Sequence, residues 1–175
     1  MTKCIAGLDL SLRGTGAVVV PTSWKRSGFD WSVVVAQKFG HPLSEDASQL
    51  KKIDRLISIA NGVVAFCLTN DVRNVWIEHY AFGARFGGPI LGELGGAVKL
   101  ELRKAGVRKI SVVHSSSARK TLLGKVPRVD QKRTVQRLLQ RLEAPFAKDG
   151  DLVDAFVVAN HGMSMAGFCA MMVGE

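Results

Sequence analysis

Four carboxylates in this sequence occupy positions at which metal-dependent hydrolysis could take place. Asp9 and Glu78 each end a short apolar run that is typical of a buried strand. Asp151 and Asp154 follow an Asp-Gly pair, and their spacing predicts that both lie in the first turn and on one face of a helix. Two strand ends and a helix start can converge in space. We therefore treat these four acids as one candidate site.

The charge of these carboxylates favours divalent cations as ligands. Four ionised carboxylates repel one another, and two Mg²⁺ ions would relieve that repulsion, with Mn²⁺ as a substitute. Two ions about 3.5 to 4 Å apart can activate water and stabilise the leaving 3′ oxygen of a phosphodiester. Asp9 is the best candidate to bridge both ions. Taken singly, each acid is equally well explained as a surface charge that begins a turn or suits a helix dipole.

A strongly basic segment lies beside these acids in the sequence. The chain carries a net charge of +9, and residues 103–141 hold twelve Lys or Arg against a single acid, Asp130. Such a surface attracts polyanions, although a solvated basic face is the alternative. The candidate DNA-binding side chains in and near this segment are Arg119, Lys120, Lys125, Arg128, Lys132, Arg133 and Arg137.

The hydrophobic pattern predicts an α/β fold with five strands. Strands are expected at about residues 3–9, 15–21, 31–39, 73–78 and 108–113, and helices at about 45–70, 90–104, 115–120, 130–142 and from 151 onward. The apolar set expected to face inward from the first long helix is Leu50, Ile53, Ile57, Ala60, Val64 and Cys67. Short connections make the first three strands antiparallel, and two strand-helix-strand crossings add two parallel strands.

Length and composition limit the class of protein. A chain of 175 residues, 47% of them hydrophobic, suits a single domain over residues 1–175. Three widely separated cysteines suit a reducing interior, and the N-terminus has no secretion signal, so we expect an intracellular protein. Its compartment would be the cytoplasm, the nucleoid, an organelle or an infected cell. The apolar stretch at residues 163–173 is too short to span a bilayer, so we expect no membrane partner.

The glycine-rich helix at residues 90–104 is a candidate dimer contact. Gly92, Gly95 and Gly96 would each cost about 1 kcal/mol of helix stability, so their clustering calls for a reason. Close approach of a neighbouring helix supplies that reason, either within the fold or across a two-fold axis.

The order of motifs resembles the RuvC group of Holliday-junction resolvases. The matching segments, which cover nearly the whole chain, are Gly7-Leu8-Asp9, Thr15-Gly16, Trp76-Ile77-Glu78, Lys120-Thr121-Leu122-Leu123-Gly124 with Lys132, and Asp151-Leu152-Val153-Asp154-Ala155. The resemblance implies a ribonuclease H-like fold and a homodimer that nicks opposing strands of a four-way DNA junction with a divalent metal. It makes Asp9, Glu78, Asp151 and Asp154 the catalytic acids. It also places Lys120 and Lys132 near the scissile phosphate. Lys120 would there either act in catalysis, by stabilising the charge that develops on the phosphorane oxygens, or make a plain phosphate contact.

Two segments depart from the pattern of that group. The first motif usually continues Asp-Pro-Gly, whereas here it reads Asp9-Leu10-Ser11, which indicates a divergent branch. The loop after Glu78 is rich in Gly and Phe, and its candidate DNA contacts are Phe82, Arg85 and Phe86. A phenylalanine there would either stack on an unpaired base, worth about 1 to 3 kcal/mol, or pack in the core.

Three classes of function follow from these residues. The first is a Mg²⁺-dependent endodeoxyribonuclease that resolves four-way junctions or cuts other branched DNA. The second is a nucleic-acid binding module of the same fold that does not hydrolyse DNA. The third is a phosphotransferase of the sugar-kinase type, suggested by Gly14-Thr15-Gly16 after Asp9, although such enzymes need two lobes of this fold. His114 and His161 are possible accessories to the site, through phosphate or the outer metal shell.

Overall fold

The structure, a computed structural model, describes residues 4–24, 30–44, 46–79, 88–125, 127, 129–168 and 170–172. The strands are β1 (Cys4–Asp9), β2 (Thr15–Pro21), β3 (Val35–Phe39), β4 (Val72–Glu78) and β5 (Lys109–Val113). The α-helices are α1 (Gln49–Thr69), α2 (Gly88–Lys104), α3 (Ser115–Leu123), α4 (Gln131–Arg141) and α5 (Gly150–Met165).

The strands form one mixed sheet in the order β3-β2-β1-β4-β5. The pairs β1–β2 and β2–β3 are antiparallel, whereas β1–β4 and β4–β5 are parallel. This confirms the predicted fold class, a five-stranded sheet with three antiparallel and two parallel strands flanked by helices. The parallel pairing of β1 with β4 brings Asp9 and Glu78 to the same edge of the sheet, because each residue ends its strand.

Side-chain alternation along β1 and β4 divides the core into two layers. One layer contains Ile5 and Trp76 and packs against α3, α4 and α5. The other contains Leu8 and Ile77 and packs against α1 and α2. Because side chains of a strand alternate between faces, a residue two positions from another shares its face. Asp9 and Glu78 therefore lie on the face that carries α5.

Two glycines allow α5 to lie directly on the sheet. A Cβ atom at Gly7 would stand 2.1 Å from the carbonyl oxygen of Ala155 and 2.3 Å from the amide nitrogen of Ala159. A Cβ atom at Gly16 would stand 2.3 Å from the carbonyl oxygen of Asp151. The absence of these side chains brings the first turns of α5 over the ends of β1 and β2.

The expected inward face of α1 is wrong in its first half. Leu50, Ile53 and Ile57 are exposed, and the helix instead buries Leu56 and Ile59. The remaining buried apolar residues of α1 are Ala60, Val63, Phe66 and Cys67. Two neighbouring stripes of this helix have the helical period, so periodicity does not choose between them; the packing of α1 on the sheet and on α2 does. The helix also begins later than expected, at Gln49, where the Ser48 side chain accepts a hydrogen bond from the Lys51 amide.

The third expected strand is shorter than residues 31–39. Residues Trp31–Val33 form a 3₁₀ turn whose N-cap is Asp30, and only Val35–Phe39 pair with β2. The Trp31 ring packs against Phe146 and Phe156, and its indole nitrogen donates to the Leu142 carbonyl at 2.6 Å. These contacts bind the turn to the core beneath α5 rather than to the sheet. No helix within the described ranges is both long and apolar enough to cross a membrane.

Candidate active site

Three of the four predicted acids meet at one edge of the sheet. Asp9, Glu78 and Asp154 each place a carboxylate oxygen within 4.8 Å of the other two. Asp9 comes from the end of β1, Glu78 from the end of β4, and Asp154 from the second turn of α5. Asp154 is only 5% exposed, and a carboxylate buried to this extent is rarely found without a partner. The cluster lies where the glycine contacts bring α5 down on β1.

The electrostatics of these acids reflect burial and mutual repulsion. Burial, followed by repulsion from Glu78, Asp154 and Asp151, raises the pKa of Asp9 from its ordinary value of 3.8 to about 7. Burial and repulsion from Asp154 likewise raise the pKa of Glu78, although Arg119 and a hydrogen bond with Ser115 act in the opposite direction. Ionising the full cluster therefore costs free energy that a bound cation would offset.

Two basic side chains hold the buried carboxylate of Asp154. Arg119, on α3, donates to Oδ1 at 2.8 Å, and Lys132, on α4, donates to Oδ2 at 2.8 Å. The hydrogen bond with Asp154 raises the pKa of Lys132, so this lysine stays charged at neutral pH. Arg119 was predicted from sequence only as a DNA contact. Its ion pair with Asp154 depends on how α3 packs against α5, which local sequence does not reveal.

The fourth acid, Asp151, lies outside the group of three acids whose oxygens are within 4.8 Å of one another. Its Oδ2 atom accepts from the Lys38 ammonium group at 2.6 Å, and Lys38 also contacts Asp149 Oδ2 at 3.0 Å. The expectation that Asp151 and Asp154 project from one face is thus only half met, because their carboxylates pair with cations on opposite flanks of the site. Repulsion from Asp151 still contributes to the raised pKa of Asp9, so the fourth acid remains close to the cluster.

Lys38 is a site residue that the sequence analysis missed. Asp9 pairs with Gly16 across β1 and β2, and Gly16 pairs with Lys38 across β2 and β3. Directly paired residues project from the same face of a sheet, so Lys38 shares the face of Asp9. The only sequence signal was a charged residue in a short edge strand, and it has meaning only once the strand register is known.

The donor set of the cluster fits a hard divalent cation. Carboxylate oxygens are the ligands of Mg²⁺ and Mn²⁺ in proteins, and three of them converge here from rigid elements. The raised pKa of Asp9 agrees with this assignment, because burial and then repulsion from the neighbouring acids disfavour its ionised form, and a bound cation would favour it. Within the described ranges, the ion pairs at these acids involve three cations, Lys38, Arg119 and Lys132, which are fewer than the carboxylates, since Lys38 pairs with Asp149 as well as with Asp151.

The other predicted basic residues within the described ranges make no ion pair with the clustered acids. Lys120, although adjacent to Arg119, is exposed, and within the described part of the chain it makes no ion pair with the acids. Three more predicted DNA contacts within the described ranges are also exposed, namely Lys125, Arg133 and Arg137. The predicted DNA contacts Phe82, Arg85, Phe86 and Arg128 lie outside the described residues.

Three histidines, His79, His114 and His161, lie next to the elements that form the site. His161 does not extend toward the acids: its ring packs edge-on against Trp76 at 5.1 Å, and its Nδ1 atom lies 2.7 Å from the Thr121 hydroxyl. His79 and His114 stack on each other, with ring centroids 4.5 Å apart, just beyond the ends of β4 and β5. His161 therefore joins α5 to α3 and β4 as a packing residue.

The turn between β1 and β2 does not resemble a phosphate cradle. The Thr15 hydroxyl donates to the Ser11 carbonyl at 2.6 Å and accepts from the Ser11 amide at 3.0 Å, so its polar atoms are used within the turn. The space beside Gly14 and Gly16 is filled by Lys38 and Asp151. These glycines serve the packing of α5 and its neighbours, which weakens the argument for a phosphotransferase.

Solved structures similar to this one supply an independent comparison. No protein-family model and no curated protein sequence matches the chain. The structure of RuvC from Thermus thermophilus superposes with a TM-score of 0.65 at 20% identity, covering 95% of this chain and 98% of that one. RuvC from the same organism in complex with Holliday junction substrate superposes with a TM-score of 0.67 at 18% identity, covering 94% and 96%.

This chain has the RuvC fold. The match extends over almost the full length of both proteins. The structural likeness confirms the fold that the sequence motifs implied. At this level of identity it concerns the fold alone, and the activity is argued from the site.

Proposed function

We propose that this protein is a structure-specific DNA endonuclease that resolves four-way junctions by divalent-metal-dependent hydrolysis. The observation that carries the proposal is the convergence of Asp9, Glu78 and Asp154, with carboxylate oxygens within 4.8 Å of one another. A similar fold in the solved structures belongs to RuvC, one example of which holds a Holliday junction substrate. The reaction would take place inside the cell, where branched DNA arises.

The acids would hold the metal, and the basic residues would organise the acids. Asp9, Glu78 and Asp154 are the proposed ligands of Mg²⁺, with Asp151 as a further ligand, two ions in each centre and Mn²⁺ as a substitute. When bound, such ions supply Lewis-acid activation of water and of the phosphodiester. Arg119 fixes the orientation of Asp154 because both side chains are largely buried, with exposures of 16% and 7%. Because Arg119 contacts Oδ1 and the more exposed Lys132 contacts Oδ2, a metal ion that uses Asp154 would bind beside the charge of Arg119 and displace Lys132.

Lys132 is the basic residue best placed to meet the DNA. Its side chain is 60% exposed although its ammonium group contacts Asp154 at 2.8 Å, so it faces the acids and the solvent at once. A phosphate brought to the acids would therefore come within reach of a fixed positive charge. Lys120, Lys125, Arg133 and Arg137 surround this position on α3, α4 and their connection, and we assign them to the DNA backbone. The catalytic role expected for Lys120 remains a prediction.

A homodimer would present two such centres to the two strands that are cut. An added Cβ at Gly96 on α2 would meet no atom of the described residues within 4 Å apart from the helix's own backbone, and Leu100, one turn later, is 56% exposed. Packing among the described residues therefore does not explain this glycine. We propose that a second copy packs on the face formed by Gly96 and Leu100, because close helix contact uses small residues beside an apolar one.

The deciding experiment compares cleavage of branched and linear DNA. End-labelled four-way junctions, replication forks, flaps and linear duplexes of matched sequence are incubated with Mg²⁺, Mn²⁺ or EDTA. We expect paired nicks near the crossover of the four-way junction with either metal and none in EDTA. Asp154→Asn should abolish cleavage, whereas Asp130→Asn, at an exposed aspartate whose side chain makes no capping bond, should not.

Three results would contradict the proposal in different ways. Binding of the junction without nicking under any metal would favour a non-catalytic binding module. Preferred cutting of forks or flaps would favour a broader branched-DNA endonuclease. Nicking by Asp154→Asn at the wild-type rate would remove the acid cluster from the mechanism. Thermal unfolding of each variant separates loss of chemistry from loss of fold.

A further inference from the structure

Lys38 forms ion pairs with two aspartates on the β3 side of the candidate metal site. Its ammonium group lies 2.6 Å from Asp151 Oδ2 and 3.0 Å from Asp149 Oδ2. Asp149 uses its other oxygen, Oδ1, to cap α5 by accepting from the amides of Asp151 and Leu152. The helix cap and the Lys38 contact therefore use different oxygens of Asp149. The shorter of the two Lys38 contacts is the one with Asp151.

The fold delivers Lys38 to this position through the strand register. Gly16 lies between Asp9 and Lys38 in one row across the sheet. Because Gly16 has no side chain, the backbone of Asp151 rests on β2 and its carboxylate falls beside the neighbouring strand. Gly14 leaves the space that the lysine needs, since a Cβ there would stand 2.7 Å from Lys38 Cε and 3.0 Å from Asp151 Oδ2.

The contact separates Asp151 from the other acids. The cluster of carboxylates close enough to share a metal ion contains Asp9, Glu78 and Asp154, but Asp151 is not among them. One Asp151 oxygen is instead occupied by an ammonium group, which also repels any cation that approaches. A divalent ion that uses Asp151 must displace Lys38 or bind against its charge.

We propose that Lys38 is a positioning residue that withholds Asp151 from the metal centre and so weakens binding of the ion that uses this acid. The proposal rests on the proposed function, in which the acids bind divalent metal. Lys38 acts as an internal competitor, since its side chain and the metal seek the same carboxylate. Its 39% exposed side chain has solvent, or a DNA phosphate, to move to when it is displaced.

Direct metal binding tests this role without any measurement of cleavage. Full-length protein without DNA is titrated with Mn²⁺, and free Mn²⁺ is followed by electron paramagnetic resonance. We expect Lys38→Met to tighten the weakest Mn²⁺ site by about fivefold, the effect of removing one partly exposed ion pair. Lys38→Arg, which keeps the charge, should bind as wild type does. Lys51→Met, which removes the same charge from an exposed position on α1, should also match wild type.

Two further variants connect the effect to Asp151. Adding Asp151→Asn to Lys38→Met should remove the gain, because the released carboxylate is then absent. Gly14→Ala should tighten the same site without any change of charge, because the new Cβ meets both partners of the ion pair, at 2.7 Å from Lys38 Cε and 3.0 Å from Asp151 Oδ2, and so pushes them apart. Circular dichroism confirms that each variant is folded.

The outcomes separate this inference from the proposed function. If the wild-type protein binds no Mn²⁺, the metal-dependent function itself fails. If wild type binds Mn²⁺ and Lys38→Met binds it equally well or more weakly, the role of Lys38 is overturned while the proposed function stands. Equal gains in Lys38→Met and Lys51→Met would also overturn it, since they would reflect net charge alone. Wild-type affinity in Gly14→Ala would count against it as well.

Discussion

Gly7 on β1 lies directly beneath Ala155 on α5, so closely that a Cβ atom would stand 2.1 Å from the Ala155 carbonyl oxygen. Ala155 follows Asp154 in the chain, and Gly7 precedes Asp9 by two residues. The same contact that packs α5 on the sheet therefore sets the distance between two of the clustered acids. Fold stability and site geometry depend here on one pair of residues.

Gly7→Ala should destabilise the protein severely. The added methyl group meets backbone atoms of α5 that cannot move independently, so we expect a loss of at least about 3 kcal/mol in the free energy of unfolding. Urea denaturation measures this loss. Gly150→Ala is the matched control, because among the described residues a Cβ there meets no atom within 4 Å outside its own helix backbone, and it should change stability by less than about 1 kcal/mol. Equal stability of the two variants would contradict the close packing of α5.

Stability without metal should fall as the pH rises from about 4 to 7. The pKa of Asp9 is about 7 in the folded protein and near 3.8 when unfolded, so the folded state binds more protons in this range. Linkage then makes the free energy of unfolding decrease with pH, by on the order of 4 kcal/mol for this group. Urea unfolding in EDTA at several pH values measures the slope. Asp9→Asn should flatten this slope, and saturating Mg²⁺ should restore the stability of the wild-type protein at pH 7 and above. If Asp9→Asn leaves the slope unchanged, the pH dependence comes from other groups.

Arg119 and Lys120 are adjacent in α3 but should fail in different assays. Arg119 holds the buried Asp154, so Arg119→Met should slow cleavage by about 100-fold while junction binding changes little. Lys120 is exposed, so Lys120→Met should instead weaken junction binding by several-fold. It should also lower the slope of log affinity against log salt by about one. Single-turnover cleavage and fluorescence anisotropy separate these effects. The two variants control for each other because both remove one positive charge; the reverse pattern would restore Lys120 to the predicted catalytic role.

The exposed face of α4 should supply affinity rather than chemistry. Removing Arg133 and Arg137 together should lower the slope of log affinity against log salt by about two and weaken junction binding at low salt. The cleavage rate of bound junction should stay near the wild-type value. Lys51 and Lys104 lie on α1 and α2, across the sheet, so removing both makes a control of equal charge that should bind DNA normally. Equal losses in both double variants would show that net charge alone governs binding.

Leu100→Glu should convert the proposed dimer into a monomer. A carboxylate on the face formed by Gly96 and Leu100 would have to be buried without a partner in a two-fold contact. Sedimentation velocity measures the mass of the particle. Leu68→Glu is the matched control, since Leu68 is an exposed leucine on α1 outside that face. A wild-type monomer, or a dimer that survives Leu100→Glu, would refute this interface.

Much of the fold was predictable because it is encoded locally. The apolar runs that end at Asp9 and Glu78 identify β1 and β4, and the N-cap at Asp149 identifies the start of α5. The buried face of α1 was not predictable, because Leu50, Ile53 and Ile57 have the same helical spacing as the stripe that the sheet actually covers. The helical period indicates that α1 has a buried face, but the elements that pack against the helix determine which face it is.

The sequence by itself determined which acids could form a site and that a basic segment would accompany them. Residue type and position within an element are local properties, and they were enough to select four candidates, Asp9, Glu78, Asp151 and Asp154, of which the structure brings the first, second and fourth together. Only the tertiary structure decided which charges meet. Asp151 pairs with Lys38 because the strand register puts Lys38 of β3 in the same row across the sheet as Asp9 of β1. Asp154 pairs with Arg119 because α3 packs against α5. Such pairs join residues more than 30 positions apart in the chain, so strand register and helix packing, rather than spacing, determine their distance.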